Sequence, residues 1–191
     1  GWAENGFANL FFRYATGLAA YGELAVPRGL ADDRSAGHAR LVRIAASANH
    51  ETRWFGATAG GYVQWFDDAD DNRFDPDDYT EGVFSVRPVV FITDHFHQAV
   101  EASYQRRLPG GLSARTDTYL EPAMWKFAVM PTLSAGRAVY SRPQLRLIYS
   151  ASLLNAGARD QWPEGDRRHE RATQHFLGVG AEWWFNSSSY Q

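Results

Sequence analysis

The chain contains no cysteine. That excludes a disulfide framework, a thiolate metal site and a cysteine nucleophile. It also lacks any run near the roughly 18 apolar residues that a membrane-crossing helix needs. Neither sign of charge dominates. The 19 basic and 22 acidic residues leave a net charge of -3, which excludes the basic field of a nucleic-acid binder or a polybasic membrane anchor. Helical periodicity is scarce. The opening Gly1-Trp2-Ala3-Glu4-Asn5-Gly6 has neither the basic segment nor the apolar core of a secretory signal, so we expect a removed signal or a fragment. The length, 191 residues, suits one domain.

What recurs instead is strand-like alternation between polar spacers. Eight strands are predicted, at about 6–16, 38–48, 53–66, 81–92, 95–106, 122–135, 141–153 and 172–185. The spacers alternate in length. Residues 17–37, 67–80, 107–121 and 154–171 are long, whereas 49–52, 93–94 and 136–140 are short. An outer-membrane barrel has this asymmetry, with short periplasmic turns and long extracellular loops. With the chain end on the periplasmic side, every long spacer falls outside.

Successive strand residues point to opposite faces. In the last strand Leu177, Val179, Ala181, Trp183 and Phe185 share one face, and Phe176, Gly178, Gly180, Glu182 and Trp184 the other. The strand from Arg142 divides in the same way. Pro143, Leu145, Leu147, Tyr149, Ala151 and Leu153 oppose Arg142, Gln144, Arg146, Ser150 and Ser152, with Ile148 intruding on the polar side. In strand 122–135, Trp125, Phe127, Val129 and Leu133 oppose Lys126, Ala128, Met130, Thr132 and Ser134. A half-buried soluble sheet alternates in this way too. Two features favour lipid: aromatics near strand ends, at Trp65, Tyr104, Trp125, Trp183 and Phe185, and strands of about ten residues. Three architectures follow: part of a larger transmembrane antiparallel up-and-down β-barrel, a complete eight-stranded barrel, structural or enzymatic, or a soluble β-sandwich that binds carbohydrate.

Several segments together resemble the maltoporin family. They are Phe11-Phe12-Arg13-Tyr14-Ala15-Thr16, Gly37-His38-Ala39-Arg40-Leu41-Val42-Arg43-Ile44, Phe84-Ser85-Val86-Arg87-Pro88, and above all Tyr140-Ser141-Arg142-Pro143-Gln144-Leu145-Arg146-Leu147. Gly178-Val179-Gly180-Ala181-Glu182-Trp183-Trp184-Phe185 is similar to the family's closing strand. The likeness spans about 7–185. It implies an eighteen-stranded outer-membrane barrel, assembled as a homotrimer, that passes sugars by diffusion. Residues 1–185 would supply the last eight strands, and 186–191 a polar tail, where barrels commonly end at the terminal aromatic.

The resemblance also implies site residues. The family's pore carries an aromatic track on which sugar rings stack. Tyr140 matches the aromatic before Ser-Arg-Pro, where Trp is usual, and Trp184 matches the penultimate aromatic of the closing strand. Phe7 is placed by spacing, sharing parity with Asn9, Phe11 and Arg13. Arg13, Arg87, Glu101, Lys126, Arg142, Arg146 and Glu182 are expected to face the pore, most of them to hydrate and brace it. Expected partners are oligosaccharide and outer-membrane lipid.

Other signals carry less. The acidic run over 67–78 lacks the EF-hand glycine and terminal Glu, and reads as a solvated loop. His95 and His97 share strand parity but lack further zinc ligands, and read as a turn. No nucleophile-elbow or other hydrolase signature is present. Neither catalysis nor a cofactor is expected.

Overall fold

The computed structural model describes residues 6–22, 26–70, 77–113 and 116–184. Eight strands run in chain order: β1 (Gly6–Thr16), β2 (Arg40–Glu51), β3 (Phe55–Asp67), β4 (Tyr79–Phe91), β5 (Phe96–Pro109), β6 (Ala123–Ser134), β7 (Gln144–Leu154) and β8 (Thr173–Glu182). Three short helices sit in the connections: α1 (Leu18–Tyr21), α2 (Ala156–Arg159) and α3 (Arg167–Glu170). The strands form one sheet in the order β1 to β8, and every neighbouring pair is antiparallel. This is the expected up-and-down topology. β1 and β8 each pair on one side only among the described residues, so these strands do not close into an eight-stranded barrel.

The register places the alternation of each strand in phase with its neighbours. On one face, Leu10 meets Ala46, Ile44 meets Val63, Phe84 meets Tyr104, Val100 meets Val129, and Tyr149 meets Leu177. The charged and amide exceptions on this face, Arg40, His50, Asp67, Gln98, Arg106 and His175, lie toward strand ends. Among the described residues, nothing covers the apolar band. Leu177 is 70% exposed, Val179 71% and Trp183 55%, where a soluble sandwich would bury them under a second layer. On the same face, Tyr104 lies 4.6 Å from Trp125, which stacks on Phe127 at 6.0 Å. Phe55 and Trp65 mark the two ends of the band on β3. At about 3.3 Å per residue and a tilt near 40°, they stand about 25 Å apart in height, the apolar thickness of an outer-membrane barrel. Phe185 and the tail 186–191 lie outside the described residues.

The connections depart from expectation most between β6 and β7. The link between β6 and β7 covers 135–143 instead of a tight 136–140 turn, and it folds back onto the polar face. Val139 packs on a small core of Val89, Phe91, Ala99, Ala128 and Met130. Its N–H donates to Glu51 at 3.3 Å, and its carbonyl accepts from the Gln144 amide at 3.0 Å. Gly56 permits this approach, because a Cβ there would lie 2.5 Å from Val139 Cγ2. At the opposite, long-loop end, α1 folds onto the same face, and Ala20 joins Ala39, Leu41, Phe66 and Ala69 in a second small core. The Tyr21 hydroxyl donates to Gly29 O at 2.9 Å and accepts from Ala69 N–H at 3.0 Å. Burial raises its pKa. The acidic run is correspondingly not all solvated: Asp68 is buried, and its backbone N–H donates to the Asp78 carboxylate at 2.7 Å.

Candidate functional site

Between these two inward-folded ends lies the polar face of the sheet. Its chemistry follows from register. Arg43 on β2 stands opposite Gln64, Gln64 opposite Glu81, and Glu81 opposite Arg107. Four polar side chains on four adjacent strands therefore form a row near the long-loop end. Arg43 donates to the Gln64 oxygen at 2.8 and 2.5 Å, and the Gln64 amide donates to the Tyr79 hydroxyl at 3.1 Å. The Glu81 carboxylate accepts from Tyr62 at 2.6 Å and from Arg107 at 3.0 and 2.7 Å. The Arg107 guanidinium also lies over the Tyr79 ring at 4.1 Å, and Arg43 over Tyr62 at 5.0 Å. Glu81 is buried and depends on this pairing, since an unpaired buried carboxylate is costly.

Midway along the strands, Arg87 donates to Glu101 at 2.9 and 2.5 Å. The pair borders an open cavity of about 280 Å³ that Thr58, Gly60 and Ser85 also line. At the short-turn end, Glu182 bridges two arginines, Arg142 at 2.8 Å and Arg146 at 3.0 Å. Arg146 also donates to Gln144. Arg142 lies 5.2 Å from the centre of the Trp184 ring. Two residues before Arg142, Tyr140 stacks on Phe7 with ring centroids 6.4 Å apart.

Phe7 and Tyr140, far apart in sequence, are thus brought together, with Trp184 tied to the same end through Arg142. Arg87, Glu101, Arg142, Arg146 and Glu182 all sit on the polar side and are ion-paired. Arg13 shares this face but donates to Ala19 O at 3.3 Å, bracing α1. Lys126 stands opposite Ser103 and Ser152. The two histidines separate. His95 lies in the turn, its Nδ1 3.1 Å from Ser134 O. His97 is instead buried on β5 against Phe91, with ring centroids 4.8 Å apart.

The row from Arg43 to Arg107 was not anticipated. Strands predicted as 81–92 and 95–106 stop short of Tyr79 and Arg107, so the alternation was cut before it reached them. A second unanticipated feature is the connection 155–172. The Asn155 side chain accepts from Ala158 N–H at 2.8 Å and from Ala123 N–H at 2.9 Å, and donates to Glu121 O at 2.8 Å. This caps α2 and ties it to the start of β6. Gly157 allows the close seat, because a Cβ there would lie 2.6 Å from Glu121 O. Beyond it, the Asp166 carboxylate caps α3 and accepts from the Arg168 guanidinium at 2.9 and 2.5 Å. Arg168 in turn lies 3.5 Å from the centre of the Trp162 ring. The Arg168 hydrogen bonds hold the Asp166 carboxyl down at a pKa of about 2.

Residues 1–185 match the family model described as LamB porin. Among curated proteins, none matches the chain.

Proposed function

Because the chain belongs to the LamB porin family, outer-membrane sugar channels rather than enzymes, we propose that its polar face lines a pore for maltose- or maltodextrin-like oligosaccharides. The strands then form the closing part of a longer barrel that assembles as a trimer. The two one-sided edges support this reading, since hydrocarbon offers no partner for the amides of an open strand edge. Long connections face the outside and short ones the periplasm.

The observation that carries the sugar assignment is the aromatic group at the short-turn end. A sugar presents flat C–H faces to aromatic rings and hydroxyls to polar groups. Phe7, Tyr140 and Trp184 supply the rings. Arg142, Arg146 and Glu182 supply donors and acceptors beside them. Glu182 offsets one of the two arginine charges, and the N–H groups and oxygens left over can exchange hydrogen bonds with a neutral solute. Such sites must favour entry yet permit exit. Arg87, Glu101 and Lys126 continue the polar wall toward the opposite end. Outer-membrane lipid solvates the apolar face.

The test is conductance of the full-length protein in a planar bilayer. Maltodextrins are expected to block the current reversibly. Trp184→Ala and Tyr140→Ala are each expected to weaken the block by roughly three- to ten-fold, the equivalent of a lost ring contact. Phe7→Ala should weaken it less, because Tyr140 remains. Conductance that no maltodextrin blocks would refute the sugar assignment.

A further inference from the structure

We propose that the connection 155–172 builds a separate carbohydrate-docking pocket at the outer mouth of the pore, with Trp162 as its stacking platform. The inference rests on the sugar-pore reading and extends it to a second place on the wall. A cavity of about 290 Å³ opens there, at the lower end of the range for small-molecule sites. It suits a single sugar ring better than a long oligomer. Strands and loop both contribute. Glu81, Gln105 and Arg107 come from the polar face, Gln161 and Trp162 from the loop, and Met124 is among the apolar lining residues.

The composition selects the ligand class. A simple anion meets Glu81, and a simple cation meets Arg107. A neutral polyhydroxyl compound meets neither repulsion alone. Glu81 is buried and already accepts from Tyr62, Arg107 and Gln105, so it anchors the wall and leaves ligand contact to its neighbours. Arg107 spends Nε and one terminal nitrogen on Glu81 and retains N–H groups to donate. The exposed Gln161 amide adds both roles, and Gln105, already bonded to Glu81, keeps its amide oxygen as an acceptor. The Trp162 indole supplies the ring surface, and Arg168 on Asp166 fixes its position.

The pocket is not part of the aromatic group at the other end. Leu154 lines the pocket, and Gln144 begins the same strand beside Arg146. That strand span separates the two places by about 30 Å at the usual rise. A sugar arriving from outside meets Trp162 first.

The experiment uses full-length trimers in planar bilayers, with maltohexaose added to one side and then the other. Trp162→Ala is expected to lower the association rate from the long-loop side by roughly three- to ten-fold. The rate from the short-turn side and the open conductance should stay within about two-fold. Trp162→Phe, which keeps a ring, should restore most of the rate. Gln161→Ala, an exposed change that leaves the fold untouched, should lower the long-loop rate in the same one-sided way. Equal losses from both sides, or no loss in either variant, overturn the docking pocket while leaving the sugar pore standing. Wild-type channels that maltohexaose does not block overturn both.

Discussion

Arg137 holds three connections together through one guanidinium. It donates to Asp94 at 2.7 Å and to Arg53 O at 2.9 Å, and lies 4.9 Å from the Trp54 ring centre. These partners belong to the turns before β3 and before β5, while Arg137 itself belongs to the link before β7. The Asp94 carboxylate is mostly exposed, so that pair alone is worth at most about 1 kcal/mol. The carbonyl bond and the ring contact add to it. Arg137→Ala is therefore expected to cost about 1–2 kcal/mol and Asp94→Ala less, measured as the shift in denaturant unfolding in micelles. Asp166 gives a second residue-scale test. Its carboxyl pKa is lowered to about 2 because Arg168 bonds the ionised form. A lowered folded-state value favours the folded loop above the usual carboxylate range, and that contribution fades as pH falls through about 2. Titration by carboxyl NMR should show the low midpoint, and Arg168→Ala should move it back toward about 3.9.

Single strands were legible because their alternation is local. Leu145 to Leu153 and Leu177 to Ala181 state their faces without knowledge of any neighbour. What the chain could not show is which polar residues meet. Arg107 pairs with Glu81 and Arg146 with Glu182 only once register is set, and register depends on the whole sheet. The link 135–143 was misjudged for a related reason: Arg137 finds its partners in two other turns and Val139 finds Glu51 on β2, contacts that local alternation does not register. Trp162 left one trace, a lone tryptophan in a polar loop, which periodicity does not register. The element scale also offers a test of the face assignment. Leu177→Arg places a charge midway along β8 on the apolar side and is expected to cost about 2–4 kcal/mol of folding in bilayers. Gln174→Arg, at an exposed position on the polar side of the same strand, should cost far less. Gly157→Val belongs at this scale too. Its side chain would drive α2 off the Glu121 backbone, so limited proteolysis should cut the 155–172 connection faster while the strands stay protected.

For the whole molecule, the decisive property is that two solvents meet one sheet. An apolar band about 25 Å high cannot stand in water, and a row of ion pairs cannot stand in hydrocarbon without a partner for every group. The sheet separates them strand by strand, so its two surfaces and its two ends must each have a fixed environment. These 191 residues hold no cysteine, so with any cysteine outside them replaced by serine, an introduced thiol reports one position alone. In the full-length protein in intact cells, Glu164→Cys in the connection before β8 should react with a maleimide too large to pass the pore. Thr93→Cys in the turn before β5 should react only after the outer membrane is opened. Leu147→Cys, on the apolar face, should stay closed to that reagent in both conditions yet accept a small lipid-soluble one. Reaction of Thr93→Cys in intact cells would invert the barrel. The inward-folded loop carrying Trp162 would then face the periplasm, and the aromatic group of Phe7, Tyr140 and Trp184 would become the first surface an incoming sugar meets.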